Sequence, residues 1–151
     1  MNGTATTAEA TTEGAPIMSI TLTDQDKLTL RLAAWGAVSL MSAAGAAGSS
    51  HKAATHGSLA LTSATGEVGH VLTKAPKGVK YGKTVAELAD QVLPALTSAV
   101  NLLKQQDPAE ADNFRRTVAV AIDAATRSRP GEPSPTMTEM ARKITEALDA
   151  A

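Results

Sequence analysis

The stretch AAWGAVSLMSAAGAAGSS, residues 33–50, carries no charge and almost no bulk. What it packs against decides the fold: lipid, a second chain, or other helices of its own chain. A membrane span needs about 20 strongly apolar residues. This run is shorter and is diluted by Gly36, Ser39, Ser42, Gly45 and Gly48. A helix that is small or apolar all round, without a single stripe, is one that other helices surround. The sequence therefore predicts no membrane span but the central helix of a bundle, approached closely along the rows Ala33, Ala37, Met41 and Gly36, Leu40, Ala44.

Upstream, Thr23 is placed as N-cap with Asp26 in the capping-box position and Asp24 near the positive helix end, which predicts a helix over 25–47. Residues 1–18 hold Thr, Ala, Gly and Glu with almost no large apolar side chain before Ile17. Such a segment cannot offset its ordering entropy and is expected to be a disordered arm ahead of one helical domain over 19–151. It has neither the basic nor the apolar region of a secretory signal, so the expected compartment is the cytoplasm.

Downstream, Leu61, Ala64, Val68 and Leu72 share a helical face, but Gly57, Gly66 and Gly69 weaken it; the expectation is a helix over 58–74, broken or beginning earlier. KAPKGVKYGK, residues 74–83, reads as a loop. Thr84 and Glu87 form a second capping box ahead of the long stripe Val85, Leu88, Ala89, Val92, Leu96, Ala99, Val100 and Leu103, with a kink expected at Pro94. Asp107 followed by Pro108 restarts the chain as a helix to Arg127 with the stripe Phe114, Val118, Ala121, Ile122 and Ala125. Three prolines in RSRPGEPSPT end it. Thr136 and Glu139 are read as the cap of a last helix whose face is Met137, Met140, Ala141, Ile144 and Leu148. No segment alternates well enough to form a strand. The predicted fold is all-α, a compact bundle of four to five helices around the Ala-rich first helix.

Composition narrows the chemistry. The chain has 151 residues, a formal charge of −1, 43% hydrophobic residues and only Trp35, Tyr81 and Phe114 as aromatics. An Ala-rich core buries little area per residue, so stability calls for close helix packing, a second subunit, or both. The absence of cysteine removes disulfides, thiolate metal sites and a cysteine nucleophile. Balanced charge gives no global field for nucleic acid, which is disfavoured as a partner.

Three local constellations remain. His51, His56 and His70 fall in one stretch, with Glu67 three residues before His70, and would suit zinc or nickel if they converged; exposed side chains on a polar stretch are the plainer explanation. Lys74, Lys77, Lys80 and Lys83 recur every third residue around Tyr81 and could meet phosphate, against the plainer reading of a solvated loop. Trp35, Met41, Met137 and Met140 are the candidate residues of a two-fold interface between first and last helices. No nucleophile elbow and no phosphate loop is present, no cofactor is expected, and catalysis is the less favoured reading. The sequence thus points to a small helical protein that works through protein–protein interaction, as a homodimer or on another protein. The alternatives are a small-ligand or metal-binding helical domain, with a pocket between Trp35, the histidine stretch and Pro94, and a nucleic-acid or phosphate contact through the lysine loop.

Overall fold

The computed structural model describes residues 21–44, 50–76, 84–127 and 135–151, with backbone alone for 50–53. Among them are six helices and no strand: α1 (Asp24–Ala44), α2 (Ser50–Thr62), α3 (Gly66–Leu72), α4 (Val85–Gln106), α5 (Pro108–Thr126) and α6 (Pro135–Asp149). The expected arm over 1–18 lies outside the described residues.

The fold is all-α and α1 is its centre, packed against every other helix. Its reciprocal cap forms as predicted: Thr23 N–H donates to Asp26 Oδ2 at 3.1 Å and Asp26 N–H to Thr23 Oγ1 at 3.0 Å. Leu30, Ala33, Ala34, Ala37, Leu40 and Met41 are buried along one face of it. Small side chains let the neighbours come close. A Cβ on Gly36 would sit 2.5 Å from Val92 Cγ2 of α4, and one on Gly57 of α2 would sit 2.9 Å from Val38 Cγ1 of α1. The described part of the opening stretch, 33–44, thus packs against the protein's own helices. No helix among the described residues is long and apolar enough to cross a membrane.

The region expected as one helix over 58–74 is two. The helical run begins earlier, at Ser50, stops at Thr62, and resumes at Gly66 with φ +79°, a backbone state that a side chain disfavours. This break raises the helix count above the predicted four to five. Short α3 lacks a cap from its own Thr65 side chain. Other helices hold it instead. Glu110 Oε1 accepts from Val68 N–H at 3.0 Å, and Asn113 Nδ2 donates to Thr65 O at 2.9 Å. At its other end Arg31 Nε donates to Val71 O at 3.0 Å and Trp35 Nε1 to Leu72 O at 3.2 Å.

The Thr84–Glu87 capping box forms, and α4 runs unbroken through the exposed Pro94. Asp107 closes α4 through its N–H to Leu103 O and opens α5 through its carboxylate, which accepts from Ala109 N–H at 3.0 Å. The last helix begins at Pro135, one position before the predicted cap Thr136. Its face of Met137, Met140, Ile144 and Leu148 closes on α1, α4 and α5.

Candidate functional site

The proposed interface residues divide. Met41 and Met137 are wholly buried and Met140 nearly so, all within the chain's own core. This corrects the expectation that they meet a second subunit: α6 spends its apolar face inside the monomer. Trp35 stays half-buried, with its indole N–H fixed on Leu72 O.

The proposed metal ligands do not gather. His56 is exposed on α2, and Glu67 and His70 are exposed on α3. The break between these helices separates the two elements that one continuous helix would have aligned. Among the described residues no three His, Asp or Glu side chains are placed to share an ion. The side chain of His51 lies outside the described residues. In the basic stretch, Lys74 is exposed beside a groove of about 380 Å³ that Asp24, Leu28, Arg31 and Ala75 also line, so a carboxylate shares its surroundings. Lys77, Lys80, Lys83 and Tyr81 lie outside the described residues.

Perturbed titration is confined to the surface of α6. Arg142 hydrogen-bonds Glu139 and Glu146, which holds the Glu139 carboxyl below its ordinary value and Arg142 above its own. These groups are solvent-exposed, the arrangement of a helix-surface ion-pair network.

A different surface emerges on α1 and α2. Trp35, Val38, Ser39, Ser42 and Ala43 of α1 face Ala54 and Ser58 of α2 across a groove of about 400 Å³. The groove joins Trp35 to the 51–70 stretch, as the pocket expected from sequence did, but among the described residues neither Pro94 nor a histidine lines it. From Ala54 and Ser58 the face continues over α2 through Thr55 and Thr62 to Leu59, which is 60% exposed. None of these side chains bears a formal charge. The sequence signal is plain once α2 is known to be a helix: between Arg31 and Glu67 the chain has a single charged residue, Lys52. Reading the uncharged run only to Ser50 missed its continuation onto the surface. The exposed faces of α5 and α6, by contrast, carry the pairs Arg115–Asp112, Arg127–Asp123 and Arg142–Glu139.

A second groove, of about 350 Å³, separates the far side of α2 from α5. Ala60, Ser63, Ala64 and Thr65 line one wall, and Asn113, Arg116, Thr117 and Val120 the other. The two helices run antiparallel here, because Gly57 lies against Ala121 O while Thr65 O meets Asn113 Nδ2.

No protein family, curated protein or solved structure matches the chain.

Proposed function

We propose that this protein acts through protein–protein interaction, as a homodimer that pairs the uncharged face of α1 and α2. The observation that carries the reading is Leu59, a large apolar side chain 60% exposed at the centre of a helix face of Thr55, Ser58 and Thr62. Interface cores are depleted in charge, and ordinary solvated helix faces are not. A two-fold contact sets each patch against itself, so groups near the axis meet their own copies. A charged face would oppose like charges there; the described side chains of this face have none to oppose. A stable dimer of ordinary size buries roughly 800 Å² per partner, which calls for α2 together with the adjoining turns of α1 from Trp35 to Ala43.

The compartment in this reading is the cytoplasm, which subcellular fractionation of the untagged protein tests. Sedimentation velocity tests the assembly. The wild type is expected to sediment as a dimer at micromolar concentration. Leu59→Glu, which places two carboxylates at the axis, is expected to sediment as a monomer with an unchanged far-ultraviolet dichroism spectrum. A wild type that stays monomeric up to high concentration overturns the reading.

A further inference from the structure

We infer that α3 is a strap that opens on its own, and that Trp35 makes its closure a condition for tight pairing at the face of α1 and α2. Helix ends leave N–H and C=O groups without intrahelical partners, and side chains of other helices meet them here. Glu110 of α5 accepts from Val68 N–H at the start of α3, while Arg31 and Trp35 of α1 donate to Val71 O and Leu72 O at its end. The apolar hold is small. Val68, Val71 and Leu72 are the only large side chains that α3 buries, whereas α4 buries six side chains along its length. A seven-residue helix held by so few contacts does not persist once they part, and such segments open below the free energy of global unfolding. Gly66, at φ +79°, is the turn on which the strap swings.

Trp35 belongs to two surfaces at once. Its indole N–H, the single donor of that side chain, is fixed on Leu72 O at 3.2 Å, while the residue lines the α1–α2 groove with Ser39, Ser42, Ala54 and Ser58. When α3 lifts, Leu72 O leaves with it and the ring loses the bond that orients it. An aromatic side chain already held in place associates at a lower entropic cost than one that must first be ordered. A second copy seated over Trp35 therefore binds the closed form more tightly, and by linkage pairing holds α3 shut by the same factor. This coupling rests on the dimer reading of that face. Gly69 offers a way to open the strap from elsewhere. A Cβ there would sit 2.4 Å from the backbone C and O of Ala64, so a larger residue displaces α3, and neither Gly69 nor Ala64 lines the dimer face.

Hydrogen exchange followed by NMR on the full chain, with sedimentation velocity on the same samples across a range of concentrations, tests both halves. In the monomer the amides of 70–72 and the Trp35 indole N–H are expected to exchange together, at least about tenfold faster than Val100 in the core of α4. Both are expected to slow at least about tenfold once the dimer forms. Leu59→Glu is expected to keep the faster rate at every concentration. Gly69→Val is expected to leave the indole N–H as quickly exchanged as an unbonded one and to weaken dimerisation at least about tenfold. If that variant fails to fold, the concentration dependence of the wild type decides. Exchange of α3 no faster than that of Val100 would overturn the strap. A wild-type dimer whose α3 exchanges at the monomer rate, or a folded Gly69→Val that pairs as tightly as wild type, would overturn the coupling and leave the dimer reading standing. A wild type that stays monomeric throughout would overturn that reading and the coupling with it.

Discussion

Gly36 is held to glycine by the close approach of α1 to α4. A Cβ there falls 2.5 Å from Val92 Cγ2, and valine has little rotamer freedom with which to withdraw. Gly36→Ala is expected to cost roughly 1–3 kcal/mol despite alanine's better helix propensity. In a Val92→Ala background that cost should largely vanish, and a double-mutant cycle measures the coupling. Additive effects would place the closest approach of α1 and α4 elsewhere.

At the scale of elements, α3 is the one whose stability is borrowed. Seven residues cannot sustain a helix alone, and this one is held by Glu110 and Asn113 at one end and by Arg31 and Trp35 at the other. Glu110→Ala leaves the Val68 N–H without its acceptor, at a cost of about 1 kcal/mol. Hydrogen exchange at Val68 and Gly69 is expected to accelerate about fivefold, with α4 unchanged. Uniform acceleration across all helices would show that α3 opens only with the whole protein. On α6, the bond from Arg142 and then its charge hold Glu139 below the ordinary carboxylate range. The contribution of this contact is therefore complete above the ordinary glutamate pKa and lost as pH falls through the lowered one. Arg142→Ala is expected to return the Glu139 titration, followed by carboxyl-carbon NMR, toward its ordinary value. An unmoved titration would exclude Arg142 as the cause.

These elements also show what the sequence discloses and what it withholds. Thr23–Asp26, Thr84–Glu87 and Asp107–Pro108 were legible because a cap is a local contact between residues two or three apart. The two-helix nature of 50–72 was not, because the partners that stabilise α3 come from 31, 35, 110 and 113. The same blindness affected the interface residues. Periodicity marks Met137 and Met140 as one apolar face, but only packing shows that α1, α4 and α5 already cover it. Leu59, on a stretch weakened by glycines, gave no comparable signal, although the lack of charge around it did.

At the scale of the molecule, an alanine-rich core has been made to work by bringing helices close about α1. That arrangement leaves an unusual surface, in which a run interrupted by the single charge of Lys52 continues from the centre of the bundle along α2 instead of ending in the core. The central claim is that two copies meet there, and the cysteine-free sequence permits a direct test. Single cysteines at Thr55, Leu59 and Thr62, with Gln105 on α4 as an exposed control, would each be oxidised mildly at micromolar concentration and counted as crosslinked dimer. A disulfide needs Cβ atoms about 4 Å apart, so it reports the two-fold axis itself. Rapid crosslinking at Leu59, falling away at Thr55 and Thr62 and absent at Gln105, is the predicted result. Crosslinking at Leu59 no faster than at Gln105 would contradict it.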